Sequence, residues 1–221
     1  MHSIRIDENT AVTPSKIICI GRNYLEHIHE LNNAVPDEMV VFNKPNSAIS
    51  QRLLSNVARC GGLSLSDSDT IHYETEICFT IKQGQIDAVG IGLDLTKRAL
   101  QSELKGKGLP WERAKSFDAS AVFSRFVSIR DINNGRDINI HDLQVELFIN
   151  SMRVQCGGVK EMIYSPSTIL SELKTYTTLC DGDIVMTGTP KGVGEVHQGD
   201  FFLARLKCGE QTLIEIEWVA E

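Results

Sequence analysis

The sequence predicts a β-dominated α+β fold, and three observations carry that expectation. Residues 71–81 (IHYETEICFTI), 201–206 and 213–219 alternate in the manner of strands with one face toward a core. Segments with helical spacing are short and few, at 24–31, 96–105 and 165–175. Between these lie polar stretches rich in turn formers, such as 32–38 and 51–69, the latter with Gly61 and Gly62.

At 221 residues the chain suits one domain and can bury a sizeable core. A net charge of −7 argues against a nucleic-acid binder, which would carry a basic patch or stripe. An anionic substrate would therefore need a metal or a few well-placed cations. The six cysteines, at 19, 60, 78, 156, 180 and 208, form no C-x-x-C pair and read as buried reduced thiols. No apolar run has the length of a membrane span, and MHSIRIDENT lacks the apolar stretch of a signal peptide. The expectation is a cytoplasmic chain without membrane contact.

In chain order, residues 16–20 form an apolar strand that runs into Gly21, Arg22 and Asn23. Asn23 and Glu26 resemble a capping box, and Tyr24, Ile28 and Leu31 predict a helix over 24–31. On it His27 and Glu30, three apart, share a face. A carboxylate so placed orients an imidazole and raises its basicity for activating water. The same residues with Glu26 and His29 also describe a solvated helix face. The polar loop at 32–38 makes this helix a candidate lid. Residues 40–42 read as a strand ending in a turn at Asn43, Lys44 and Pro45.

The stretch 71–81 organises the rest. As one strand it puts Ile71, Tyr73, Ile77, Phe79 and Ile81 on one face and His72, Glu74, Glu76, Cys78 and Thr80 on the other. The glutamate Cα atoms would lie roughly 7 Å apart, near enough for both carboxylates to meet one ion. Two like charges on a half-buried face repel unless a cation lies between them. A divalent-metal site and an ordinary solvated strand face both fit this pattern.

Residues 88–96 (AVGIGLDLT) form an apolar strand interrupted by Asp94, whose carboxylate needs a cation or several donors if buried. Asp94 is either a third ligand beside Glu74 and Glu76 or a cap for the helix at 96–105. Three carboxylates suit Mg²⁺ or Mn²⁺ better than zinc. Gly90 and Gly92 lack the third glycine of a dinucleotide fingerprint. Lys115 lies in KGLPWERAKS, in a setting where a lysine is ordinarily solvated.

Further strands are expected at 123–129, 143–149 and 153–155, the last two around a turn at Asn150 and Ser151. A helix is expected at 165–175 with Pro166 in its first turn. DIVMTGTPKGVG (183–194) runs from strand into a glycine-rich loop that is not a P-loop. Its amides and the Thr187 and Thr189 hydroxyls suit a small carboxylate, or the loop is simply a tight connection.

Five motifs together resemble the fumarylacetoacetate hydrolase family: GRNYLEH (21–27), HYETE (72–76), GLDLT (92–96), GLPWERAKSF (108–117) and GDIVMTGTPKGVG (182–194). GLPW-x-x-AKSF is similar to the acylpyruvase and oxaloacetate decarboxylase branch. The resemblance implies a mixed β-roll with short flanking helices, one catalytic domain over 1–221 with 1–15 as an extension or edge strand, and a homodimer. It implies Glu74, Glu76 and Asp94 as ligands of Mg²⁺ or Mn²⁺, Lys115 as the active-site lysine and His27 with Glu30 as the water-activating dyad. Arg22, Arg98, Gln101 and Thr189 fall near the substrate.

The expected activity is metal-dependent C–C bond hydrolysis of 3-acylpyruvates, small β-diketo acids, to pyruvate and a carboxylic acid. Decarboxylation or keto–enol tautomerisation of oxaloacetate, also a 2-oxo acid, is the alternative on the same site. A metal-binding protein without turnover is the alternative of another class. Ala99 departs from the acidic residue the family often has there.

Overall fold

The structure, a computed structural model, describes residues 1–8, 10–56, 70–131 and 135–221. It opens with a hairpin, β1 (Ile4–Ile6) and β2 (Thr10–Val12), whose Ile4 and Ile6 are buried. Backbone bonds between Arg5, Asp7 and Phe126 fasten this hairpin to the body. KIICIG forms β3 (Lys16–Gly21), buried along its interior as suits a central strand. Then come α1 (Leu25–Glu30), β4 (Val40–Pro45) and β5 (Ile49–Ser50).

The middle of the chain supplies β6 (Ile71–Tyr73), β7 (Thr75–Lys82), β8 (Gln85–Asp94) and β9 (Thr96–Lys97). Two helices follow, α2 (Arg98–Gly106) and α3 (Glu112–Lys115). Short strands β10 (Ala121–Phe123), β11 (Val127–Ser128), β12 (Arg130–Asp131) and β13 (Arg136–Asp137) lead into the hairpin β14 (Leu143–Ile149) and β15 (Met152–Gly158). The chain ends with α4 (Pro166–Tyr176), β16 (Ile184–Met186), β17 (Gly194–Glu195), β18 (Phe201–Cys208) and β19 (Gln211–Val219).

The largest sheet has the order β4-β3-β16-β7-β8-β10-β5, with β11 also on β8. It is mixed, because β16 runs parallel to β3 and β10 parallel to β5. A second, antiparallel sheet has the order β15-β14-β18-β19. Ile77, Phe79, Val89 and Ile91 of the first pack on Val145, Leu147, Phe202 and Leu206 of the second. On the other side α4 presents Ile169, Leu170 and Leu173 to Ile18, Ile20 and Val185. The chain thus adopts the β-dominated α+β roll with short flanking helices.

Several local expectations change. The strand at 71–81 is broken at Glu74, and β6 pairs with β9 and β17 while β7 joins the large sheet. A bulge between Thr80 and Ile81 turns Ile81 toward Ile169 and Leu173, away from Phe79. Residues 75–81 are buried throughout, so neither face of β7 is solvated.

The capping box does not form. Tyr24 is the N-cap without a side-chain bond, while Asn23 donates to the Thr187 and Tyr164 carbonyls at 2.8 and 3.0 Å. The strand at 123–129 divides into β10 and β11, with Phe126 between them taken by the N-terminal hairpin.

Asn150 and Ser151 have φ of 49° and 71°, the left-handed pair of a two-residue hairpin. Gly92 is needed for close packing, since a Cβ there would lie 2.6 Å from Cys78 Sγ. Cys19 and Cys78 are buried and free as expected, but Cys180 is exposed. The expectations for 57–69, Cys60, Gly61 and Gly62 included, lie outside the described residues.

Asp183 ties the start of β3 to the start of β16. It is fully buried and accepts from Ser15 N and Oγ, Lys16 N and Nζ and Cys180 N at 2.7–3.2 Å. Burial pushes its carboxyl up, but the Lys16 and Ser15 bonds outweigh that and hold it below the usual range. A depressed folded-state value stabilises above the unfolded value of about 3.9 and is lost as pH falls through the folded one. Asp183→Ala is therefore expected to cost about 2–3 kcal/mol at neutral pH, with a smaller gap to wild type in acid. Urea unfolding at neutral and acidic pH reads this, and a gap independent of pH would contradict it.

Candidate active site

β7 and β8 run antiparallel with Thr75 opposite Leu93, and Asp94 N donates to Glu74 O at 2.8 Å. This sets Glu74 and Asp94 side by side at one end of the hairpin, with Glu76 one step further along β7. One carboxylate oxygen from each lies within 4.8 Å of the other two. All three side chains are buried, at 6, 2 and 1 % exposure. Asp94 caps no helix, since the N-cap of α2 is Lys97.

Lysines and an arginine surround the cluster. Lys115, buried at the end of α3, donates from Nζ to Glu74 Oε2 (2.8 Å), Asp94 Oδ2 (2.7 Å) and Thr96 Oγ1 (2.7 Å). Arg98 pairs with Glu74 Oε1 and donates to Gln101 Oε1 at 2.8 Å. Lys44 is fully buried, with Nζ 2.8 Å from Asp94 Oδ1 and donating to the Lys115 and Leu95 carbonyls. Its approach to Oδ1 is off the hydrogen-bonding direction, so that oxygen accepts no hydrogen bond. Among the described residues Glu76 accepts a hydrogen bond from the Gly188 N–H, at 2.7 Å, and makes no ion pair.

The charges are therefore unevenly compensated. Burial raises the Glu74 carboxyl, but Lys115 and Arg98 outweigh it and hold it well below the usual carboxylate range. For Glu76, burial and the Asp94 and Glu74 charges all act upward, and its carboxyl lies well above that range. Burial draws the Lys115 ammonium down, yet Asp94 and Glu74 raise it above an ordinary lysine, so it stays protonated. The residues fit a hard divalent cation: the donors are carboxylate oxygens, Asp94 Oδ1 accepts no hydrogen bond, and the repulsion on Glu76 is only partly offset.

Of the ten residues singled out from the sequence, all but Glu30 line one narrow cleft. Glu30 reaches it through His27, whose Nδ1 lies 3.0 Å from Glu30 Oε2. Glu30 Oε1 accepts from Gly192 N at 2.9 Å, and Lys191 pairs with Glu26, so α1 is docked on the 187–193 loop. Arg22 sits at a left-handed φ of 57°, a strained conformation for a non-glycine residue. The Thr189 hydroxyl donates to Thr75 O at 2.9 Å and accepts from Gln155 Nε2 at 2.8 Å.

Sequence reasoning missed Lys44, Lys105, Trp111 and Gln155. Lys44 looked like part of a turn, although a lysine inside an apolar strand end is a signal that a buried acid must be near. Gln155 braces Thr75 and Thr189 from a strand 80 residues away, which no local pattern announces.

Residues 16–217 match the family model for the fumarylacetoacetate hydrolase C-terminal domain. The chain belongs to the fumarylacetoacetate hydrolase family. As a member it is an enzyme, which removes the alternative of metal binding without turnover.

It is similar to the mitochondrial oxaloacetate tautomerase FAHD1 of Homo sapiens, 38% identical over 218 residues, covering 93% of this chain and 91% of the relative. Oxaloacetate tautomerase YcgM of Escherichia coli is 34% identical over 197 residues, covering 84% and 85%. Among solved structures, fumarylpyruvate hydrolase from Pseudomonas aeruginosa in complex with Mn²⁺ and pyruvate superposes with a TM-score of 0.81. It has 26% identity and covers 100% of this chain and 96% of that one. Among the described residues of this family member, no helix is long and apolar enough to cross a membrane.

Proposed function

We propose that the chain interconverts the keto and enol forms of oxaloacetate with Mg²⁺ or Mn²⁺ bound by Glu74, Glu76 and Asp94. The observation that carries this is the buried carboxylate cluster beside protonated Lys115, in a cleft that also presents His27, Arg98 and Gln101. Similarity over most of the chain to oxaloacetate tautomerases favours this activity over hydrolysis. A divalent ion held by three carboxylates supplies concentrated positive charge that stabilises the enolate of a 2-oxo acid.

Keto–enol exchange breaks the C3–H bond, places its electron pair in the C2=C3 bond and delivers a proton to the C2 oxygen. His27 is suited to the carbon proton. The Glu30 carboxylate can only accept, so Nδ1 carries the hydrogen and Nε2 is left as the base. Gly192 N–H holds Glu30, and Glu30 holds the ring. Lys115 keeps a fixed ammonium at the floor of the cleft to balance charge growing on the C2 oxygen. Arg98, braced by Gln101, and the Thr189 region receive the adjacent carboxylate. Under this reading the whole chain acts as one catalytic domain in a homodimer.

Enol-rich oxaloacetate mixed with protein and Mn²⁺ should lose its enol absorbance at least about 100-fold faster than with Mn²⁺ alone. No acceleration would end the proposal.

The His27–Glu30 pair also suits water activation, which favours hydrolysis of 3-acylpyruvates as a second reading, and oxaloacetate decarboxylation would use the same enolate. A panel of oxaloacetate and acetylpyruvate with and without Mn²⁺ separates the three. His27→Ala is expected to slow hydrolysis or tautomerisation by about 10²–10³-fold and decarboxylation less. Equal losses across the panel would remove the role given to the dyad.

A further inference from the structure

Two cations that line the cleft make no ion pair with a carboxylate among the described residues. Deeper in, every cation has one: Lys44 has Asp94, Lys115 has Glu74 and Asp94, and Arg98 has Glu74. Lys105, near the end of α2, makes no ion pair among the described residues. Its half-buried Nζ lies over the Trp111 ring, 4.9 Å from the centroid. Among the described residues Arg22 has a buried Nε without an acceptor and a long 3.5 Å bond from its guanidinium to Ala34 O. Burial and the charges of Arg22 and Arg98 push the Lys105 ammonium down to about 8. In a chain of net charge −7 this is a local concentration of positive charge without a carboxylate in ion-pair contact among the described residues.

Lys105 also lines the groove next to the cleft, together with Leu31, Asn33 and Ser102, so it stands where the two meet. With the oxo and adjacent carboxylate oxygens of a 2-oxo acid at the carboxylate cluster and Arg98, Lys105 and Arg22 are the cleft-lining cations left for the rest of its carbon chain. In a four-carbon dicarboxylate that chain ends in a second negative charge, which is costly to desolvate without a partner. We infer that Lys105, with Arg22 beside it, receives this far carboxylate and sets a preference for 2-oxo dicarboxylates over the corresponding monocarboxylates. The inference rests on the oxaloacetate reading for its substrate class and names the residue that selects it.

The test is a binding titration of the full chain with Mn²⁺, followed by the emission of Trp111, one of two tryptophans. Oxaloacetate and 2-oxobutanoate have four carbons each and differ in the far carboxylate. Lys105→Met should weaken oxaloacetate about 10- to 100-fold and 2-oxobutanoate less than about threefold, and Lys105→Arg should restore the preference. Equal weakening of both acids, no weakening, or a wild type that binds both equally overturns the inference. Failure of the tautomerase reading leaves a different trace. The preference and its loss in Lys105→Met would then persist, supporting the inference, while enol exchange ran no faster than with Mn²⁺ alone.

Discussion

Glu76→Gln is expected to abolish metal-dependent turnover while leaving the metal-free fold intact or firmer. The side chain is 2 % exposed, and the Gly188 N–H and the Lys115 ammonium offset the Asp94 and Glu74 charges only in part. Glutamine keeps the shape and still accepts that N–H through its amide oxygen, and it removes the repulsion. The metal-free protein should therefore melt at the same temperature or higher. The same change takes one of three anionic donors from the cation, and the loss of activity should be at least about 10³-fold, several kcal/mol of charge stabilisation. Calorimetric titration with Mn²⁺ and the enol-exchange assay check the two halves separately. Wild-type Mn²⁺ affinity in this variant would show that the three carboxylates do not act on a common ion.

Lys44→Met is expected to give the largest loss of stability. The ammonium is fully buried, pairs with Asp94 at 2.8 Å and serves the Leu95 and Lys115 carbonyls. Removing it leaves Asp94, among the described residues, with Lys115 as its cation, and takes a donor from the Leu95 and Lys115 carbonyls, of which the latter keeps its bond from Ser120 Oγ; the expected cost is about 3–5 kcal/mol. Adding Asp94→Asn should recover part of that, because the uncompensated charge goes with it, so the two changes should be non-additive. Urea unfolding of the two single variants and the double variant checks this. Additive losses would mean that the pair does not interact.

Much of the site was legible because its chemistry is written in residue types that are expensive to bury. Glu74, Glu76 and Asp94 stand in apolar stretches, and a carboxylate there needs a partner, whether or not the strand is continuous. The inferred strand was in fact broken at Glu74, and the cluster formed all the same. Backbone pairing of β7 with β8 brings Asp94 beside Glu74, and that pairing follows from two adjacent apolar segments. Asn23 shows the opposite outcome. Its local pattern with Glu26 describes a cap, but carbonyls at 164 and 187, remote in the chain, compete for its amide and win.

By itself the sequence determined the β-rich class and carried the motifs of the family, and the resemblance they make singled out the acidic triad and six further residues that line the cleft with it. The class depends on periodicity and the rest on short runs of residue types, which are local properties of the chain. Only the tertiary structure decided which cation meets which anion: Lys44 on Asp94, Arg98 on Glu74, Glu76 compensated only in part, and Lys105 and Arg22 without a carboxylate partner among the described residues. Those outcomes depend on distances between segments far apart in the chain. Coulomb energy in a poorly screened interior makes them matter by several kcal/mol.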